Sequence, residues 1–152
     1  MSRRYIDRPL KSWSELEKIA TVKTIFNEIT PRYDFMNRLL SGRQDVAWRK
    51  FAVKRLPEDC KRVLDVACGT GDVSLEIARQ RPEVNIVGAD FVARMLEPAL
   101  IKTAKAGYQE RISYLMADAM TLPFPDDSFD AAIVAFGLRN IPDRLGAIRE
   151  MK

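Results

Sequence analysis

The sequence predicts an α/β fold, in which a parallel sheet carries helices on both faces and follows a helical N-terminal extension. Residues 14–41 place apolar side chains at helical spacing, and residues 62–136 alternate short apolar runs with amphipathic stretches. Strands that alternate with helices build right-handed βαβ units, which make the strands parallel. A chain of 152 residues is long enough for one domain with a single core.

The elements follow from local patterns. Pro31 interrupts the first helical stretch, "YDFMNRLL" at 33–40 precedes Gly42, and a third helix at 47–56 precedes Pro57. The apolar stripe of the first stretch comprises Ile19, Val22, Ile25, Phe26 and Ile29. Strands are predicted at 62–68, 85–91, 112–118 and 129–136, and helices at 72–80, 93–106 and 143–152, with Gly107 ending the second of these helices and a loop at 122–128.

Composition excludes several classes of protein. The chain has no histidine, which removes the usual neutral-pH base and the commonest metal ligand, and we predict no metal site. Cys60 and Cys68 lack a metal or redox spacing, so we expect reduced thiols and a cytoplasmic protein. The charged N-terminus lacks the apolar core of a secretory signal, and no apolar run is long enough to span a bilayer.

Charge is unevenly distributed. Residues 1–62 hold 15 Lys and Arg against 8 Asp and Glu, a net charge of +7, whereas residues 63–152 have a net charge of −3. A basic segment of this kind faces an anionic lipid surface, a nucleic acid or simply solvent. No zinc-finger spacing or aromatic-interleaved basic stripe is present, so we predict no nucleic-acid partner.

A glycine turn follows the first predicted strand. Gly69, Thr70 and Gly71 lie where ligands bind in open parallel sheets, beyond the carboxyl ends of the strands. Glycine lets a ligand approach the backbone, and the amides at a helix start attract an anion. A tight turn without a ligand has the same pattern. Asp90, which ends the second strand, can accept both ribose hydroxyls of an adenosine. The combination of the glycine turn and Asp90 fits NAD and S-adenosylmethionine equally well.

The end of the third strand favours S-adenosylmethionine. The Asp118 carboxylate can accept from the exocyclic amine of adenine, and the Ala119 amide can donate to a ring nitrogen. Phe91 and Met95 can cover the faces of the ring. The alternatives are that Met95 is a core residue of its helix and that Asp118 is a helix cap or a turn residue.

Several stretches resemble one family. "VLDVACGTGD", "GADFVARML", "ADAMTLPFPDDSFD" and "FGLRN" are similar to class I S-adenosylmethionine-dependent methyltransferases. "VKTIFNEITPRYDFMNRLLS", followed by Trp48, resembles a signature of the C-methyltransferases of ubiquinone and menaquinone biosynthesis. The resemblance covers residues 20–152 and implies a Rossmann-like sheet. It divides the chain into a helical region at 1–57, facing substrate and membrane, and a partial donor-binding domain at 58–152.

The resemblance also implies residue roles. Thr70, Asp90, Asp118 and Ala119 match the contacts to S-adenosylmethionine, and Asp65, Gly69 and the Gly71 turn surround its methionine end. Tyr33, Asp34, Met36, Asn37, Arg139 and Asn140 match the part of the pattern near the quinol. Arg139 is predicted to stabilise a phenolate, the alternative being an exposed arginine paired with Asp143.

This sequence departs from the family pattern in three places. Asp45 stands where a histidine is usual, and Ala67 stands where the general pattern has a glycine, which we expect to be tolerated if the strand end is not crowded. Only four of the seven family strands are visible before Lys152, so we expect the last strands to be missing. The fourth strand then becomes an exposed edge, and we expect a homo-oligomer through that edge.

The resemblance implies methyl transfer from S-adenosylmethionine, giving S-adenosylhomocysteine, to the ring of a demethylmenaquinol or related polyprenyl quinol. A polyprenyl tail implies peripheral contact with the inner face of the membrane. Two alternatives remain open: a non-catalytic fragment that binds S-adenosylmethionine, and a methyltransferase for another small molecule.

Overall fold

The computed structural model describes residues 14–30, 33–42 and 44–152. The N-terminal extension forms α1 (Glu15–Ile29), α2 (Tyr33–Leu40) and α3 (Gln44–Val53). Helix α1 begins at a capping box, in which the Ser14 hydroxyl and the Glu17 side chain each bind the backbone N–H of the other residue. Helix α3 begins three residues before the predicted start and ends three residues before the predicted end.

Four parallel strands form the predicted sheet. They are β1 (Arg62–Val66), β2 (Asn85–Asp90), β3 (Ile112–Met116) and β4 (Ala131–Val134), in the spatial order β3-β2-β1-β4. Each strand ends one or two residues earlier than predicted, because the chain leaves the sheet and turns into the loops that hold the site. Strand β4 lies at one edge of this sheet, as predicted.

The two faces of the sheet are covered differently. Helix α4 (Asp72–Gln80) packs with α3 on one face, in an apolar core that includes Val53, Val63 and Ile77. Helix α5 (Ala93–Lys105) joins this face, since Thr103 is hydrogen-bonded to the Tyr114 hydroxyl of β3. The loop after β3 covers the other face together with Met151, which follows α6 (Arg144–Glu150). In the described ranges, no helix has the length and apolarity needed to cross a membrane.

Ala67 sits at a crowded strand end. Its φ angle of +52° lies in the left-handed region that favours glycine, and it directly follows β1. A Cβ atom built on Gly137 would lie 2.4 Å from the Cβ of Ala67. The alanine at position 67 is therefore accommodated because position 137 has no side chain. The next contact of that built Cβ, to the Ala67 carbonyl oxygen, is at an ordinary 3.4 Å.

These contacts predict strong coupling between positions 67 and 137. Gly137→Ala alone is expected to lower the free energy of unfolding by about 1–3 kcal/mol, the usual cost of overpacking. In the Ala67→Gly background the same substitution should cost much less, because the clashing methyl group is gone. Urea denaturation of the two single variants and the double variant measures this coupling. Simple additivity of the two single effects would contradict the account.

Candidate active site

An open pocket lies at the carboxyl ends of the strands. Its empty volume is about 860 Å³, a figure that includes space open to solvent. The loops after β1, β2, β3 and β4 line the pocket, together with residues of helices α1 and α2. The pocket brings together, of the residues predicted from sequence, Tyr33, Gly69, Asp90, Phe91, Met95, Asp118, Ala119 and Asn140.

The Asp90 carboxylate joins two of these loops. One oxygen accepts the backbone N–H of Gly69 at 2.7 Å, and the other accepts that of Val92 at 2.8 Å. Burial raises the pKa of Asp90, and the N–H donors of Val92 and Gly69 oppose part of the rise. Each carboxylate oxygen still has a lone pair available, so the fixed side chain can also accept hydroxyl groups from the pocket.

Asp118 and Ala119 offer an acceptor and a donor on adjacent residues. One Asp118 oxygen accepts the N–H of Met120 at 2.9 Å, so Asp118 is a turn residue as well as a pocket residue. Within the described ranges, no hydrogen bond uses the backbone N–H of Ala119. This pair can therefore bind the edge of a planar heterocycle that carries one donor and one acceptor.

Apolar side chains form the walls. Met95 is only 2% exposed, lines the pocket and accepts the Thr30 hydroxyl on its sulfur at 3.0 Å, so the core and pocket alternatives for this residue both hold. Phe91 lines the pocket and lies under the Lys23 ammonium, 5.1 Å from the ring centre. The lining also contains residues that the sequence did not single out, among them Val22 and Phe26 of α1. Both belong to the apolar stripe that was interpreted only as a helix core.

Only part of the glycine turn lines the pocket, and the rest packs against other parts of the protein. Gly69 lines the pocket, whereas Thr70 and Gly71 are absent from its lining. Gly71 has a φ angle of +78°, and a Cβ atom there would lie 2.5 Å from the Tyr114 hydroxyl. Close packing against β3 therefore requires this glycine. The Thr70 hydroxyl donates to Asp34 at 2.5 Å and points towards α2.

Asp65, a predicted donor contact, and Asp45, which stands where the family usually has a histidine, lie outside the pocket lining. Asp65 is 1% exposed and accepts the Ser74 hydroxyl at 2.6 Å. Burial raises the pKa of Asp65 to about 7 against the opposing Ser74 hydrogen bonds. Asp45 accepts the Ser41 hydroxyl at 2.8 Å and the Arg49 guanidinium at 2.7 Å. Burial raises the pKa of Asp45, but these partners outweigh it and leave a net lowering.

The residues predicted near a quinol are only partly brought together. Tyr33 and Asn140 line the pocket, while Asp34 does not. Arg139 lies on the short 3-10 helix Leu138–Asn140, is exposed and is outside the lining. It makes no ion pair with Asp143, which instead caps α6 by accepting the Gly146 N–H at 2.8 Å. Met36 is exposed, and Asn37 is also outside the lining.

The described part of the chain holds no cluster of three or more potential metal ligands. The pocket offers two acids, Asp90 and Asp118, the unused backbone N–H of Ala119 and apolar walls.

Known proteins are similar to this chain in sequence. The ubiE/COQ5 methyltransferase family profile matches residues 14–152. The chain is 47% identical over 147 residues to the ubiquinone/menaquinone biosynthesis C-methyltransferase UbiE of Geobacter sulfurreducens, covering 95% of this chain and 57% of that protein. It is 47% identical over 128 residues to the demethylmenaquinone methyltransferase of Thermus thermophilus, covering 84% of this chain and 57% of that protein.

A solved structure shows the same fold. It is a Methanococcus maripaludis protein provisionally named an S-adenosyl-L-methionine-dependent methyltransferase, with a TM-score of 0.66 and 21% identity over 94% of this chain and 61% of that one. The chain thus spans about three-fifths of the length of the curated relatives it matches. From the family profile and the two relatives, the chain belongs to the ubiE/COQ5 methyltransferase family.

Proposed function

We propose that the pocket binds S-adenosylmethionine and that the chain is the donor-binding part of a C-methyltransferase acting on the ring of a demethylmenaquinol or related polyprenyl quinol. The observation that carries the proposal is a pair of acids that line one apolar pocket: Asp90 ends β2, and Asp118 lies two residues after the end of the neighbouring parallel strand β3. The names of the relatives support the substrate class.

The described residues fit the adenosine half of this donor. Asp118 can accept from the exocyclic amine of adenine, and the unused Ala119 N–H can donate to a ring nitrogen. Phe91 and Met95 supply apolar contact for the ring. Asp90, held by two backbone amides, supplies acceptors for the ribose hydroxyls.

The remaining walls would orient the acceptor of the methyl group. When bound, S-adenosylmethionine supplies a sulfonium methyl group for transfer to a carbon nucleophile. Tyr33 and Asn140 are the polar wall residues from α2 and the β4 loop, and they can hydrogen-bond a ring hydroxyl and fix its approach. A role of Arg139 in stabilising a phenolate stays a prediction, as does direct donor contact by Asp65 and Thr70.

The two alternatives remain distinguishable by experiment. A fragment that binds S-adenosylmethionine without catalysis would use the same acids, and a methyltransferase for another small molecule would differ only in the walls near Tyr33. Methylation of a demethylmenaquinol by a chain of the relatives' full length separates the quinol proposal from a methyltransferase for another small molecule, and methylation by this chain itself separates it from a non-catalytic fragment.

Asp118→Ala should weaken binding of S-adenosylhomocysteine by about ten- to a hundredfold, since one charge-assisted hydrogen bond contributes roughly 1.5–3 kcal/mol. Isothermal calorimetry measures the affinity. Asp126→Ala, in the exposed loop that follows, is the matched control and should bind as the unmodified chain does. Binding of NAD in place of S-adenosylhomocysteine would overturn the proposal.

Membrane contact is also proposed, through a surface formed by α2 and α3. Its exposed apolar side chains are Met36, Leu39, Leu40, Trp48 and Phe51. Its exposed charged side chains are Arg38 of α2 and Lys50 of α3, and the turn directly after α3 adds Lys54 and Arg55. Among the described residues from 33 to 55, no exposed side chain is acidic, because Asp34 and Asp45 turn inward to Lys102 and Arg49.

This α2–α3 surface has the chemistry of an interfacial membrane contact, with apolar residues for the acyl boundary and cations for anionic headgroups. It also adjoins the pocket, since Trp48 stacks near Phe136 with ring centres 5.9 Å apart and Gly137 lines the pocket. A polyprenyl substrate held in a membrane would thus reach the pocket from this side. Contact at the inner face of the membrane, by a cytoplasmic protein, follows as part of the proposal.

Co-sedimentation with phosphatidylglycerol-containing vesicles tests the surface. The double variant Leu39→Glu, Leu40→Glu should lose about tenfold or more in vesicle affinity, because two exposed leucines no longer enter the acyl boundary. Leu100→Glu, on an exposed site of α5, is the matched control and should bind unchanged. Equal binding by all three proteins, or binding insensitive to lipid charge and salt, would contradict the proposal.

Self-association through β4 completes the proposal. The outer edge of Ala131–Val134 pairs with no strand in the described ranges, and unpaired edges template pairing with another chain. Light scattering at high protein concentration should give the mass of a dimer or larger assembly, whereas a monomer mass would contradict it.

A further inference from the structure

An ion cluster joins the N-terminal helices to the glycine turn and to α5. At its centre, the Lys102 ammonium of α5 contacts Asp34 at 2.8 Å, Asp72 at 2.5 Å and the Thr70 hydroxyl at 3.1 Å. An ammonium has three N–H donors, so these three acceptors use its full capacity. We call Asp34, Thr70, Asp72 and Lys102 the latch.

The latch connects four separate parts of the fold. Asp34 lies in α2, Thr70 in the glycine turn, Asp72 at the start of α4 and Lys102 in the last turn of α5. The Thr70 hydroxyl also donates to Asp34, so two of the three partners of Lys102 are hydrogen-bonded to each other. Arg49 of α3 extends the cluster by pairing with Asp72 at 3.3 Å.

We propose that Lys102 is a positioning residue for the donor pocket. It acts through Asp34, which directly follows the pocket residue Tyr33, and so fixes α2 as one wall of the pocket. The inference deepens the proposed function and rests on it for the identity of the ligand. The placement of α2 is a property of the chain without ligand, and can be measured independently.

Partial burial strengthens the ion pairs of Lys102 with Asp34 and Asp72. Its side chain is 26% exposed, as is that of Asp34, and that of Asp72 is 17% exposed, so solvent screens these pairs only in part. Removing the cation takes away the ion pair that joins Asp34 to α5, while Asp72 keeps Arg49 at 3.3 Å and Arg38 at 3.9 Å, so the attachment of α2 to the glycine turn weakens. Helix α2 is also held by Arg38, which lies 3.9 Å from Asp72, and by the ring contact of Tyr33 with Phe26, whereas its Met36, Leu39 and Leu40 side chains are exposed.

The test compares Lys102→Met, which keeps the side-chain length but removes the charge, with Lys102→Arg, which keeps the charge. Lys105→Met on the same helix is the matched control, since this exposed lysine has no ion pair or hydrogen bond among the described contacts. Two quantities are measured on the whole chain: amide hydrogen exchange of residues 33–41 without ligand, and affinity for S-adenosylhomocysteine by calorimetry.

Lys102→Met should speed exchange in residues 33–41 by about tenfold relative to strands β1 and β2, and should weaken S-adenosylhomocysteine binding by about tenfold. Lys102→Arg should recover part of both effects, because its planar fork restores the charge but not the three-way geometry. In a double-variant cycle, Asp34→Asn should add little to the Lys102→Met effect.

Unchanged exchange at 33–41 in Lys102→Met overturns the latch, and so does an equal rise in exchange over the whole sheet, which would indicate a general loss of stability. Unchanged ligand affinity together with faster exchange overturns the positioning role. If the unmodified chain fails to bind S-adenosylhomocysteine, the proposed function fails, while the exchange data still decide the latch.

Discussion

The Asp90 carboxylate is the constraint on which the site depends. It lies at the end of β2 and accepts N–H groups from both sides, from Gly69 in the turn after β1 and from Val92 at the start of α5. One buried side chain thus sets the spacing between two loops that would otherwise vary independently. Because the group is fixed by backbone donors, its remaining lone pairs face the pocket without a rearrangement, which is the preorganisation that a binding site requires. The apolar walls around it exclude water and strengthen each polar contact made there.

The second constraint is the attachment of the helical extension. The motifs "YDFMN" and "GTG" are more than thirty residues apart in sequence, yet a hydrogen bond between Thr70 and Asp34 joins them. The hydroxyl of the turn thereby serves the packing of α2, and the neighbouring Tyr33 reaches the pocket. Asp34 and Asp45 both turn inward, to Lys102 and to Arg49, so the exposed charged side chains described on the α2–α3 surface are cations. A single set of ion pairs therefore shapes both the pocket wall and the surface proposed to meet the membrane.

Much of the architecture was predictable from sequence because it rests on local signals. The four strands, their parallel order and the bounds of α4 follow from apolar runs, turns and helix starts. The pocket membership of Asp90 and Asp118 followed from their position at strand ends. The Lys102 contacts could not be predicted, because nothing local distinguishes this lysine from Lys105. The roles of Val22 and Phe26 were equally hidden, since an apolar stripe has the same pattern whether it covers a core or a ligand. Donor contact by Asp65 stays a prediction, and strand alternation places Asp65 on the α4 face, where the Ser74 hydroxyl donates to it.

We propose that Asp90, Asp118 and Ala119 together form an adenosine site in the pocket of this chain. The most direct measurement is a crystal structure of the chain with S-adenosylhomocysteine. The account predicts the adenine between Phe91 and Met95, with its amino group within about 3 Å of the Asp118 carboxylate and the ribose hydroxyls at Asp90. Electron density for the ligand elsewhere on the protein, or an adenine edge that faces neither Asp118 nor Ala119, would contradict it.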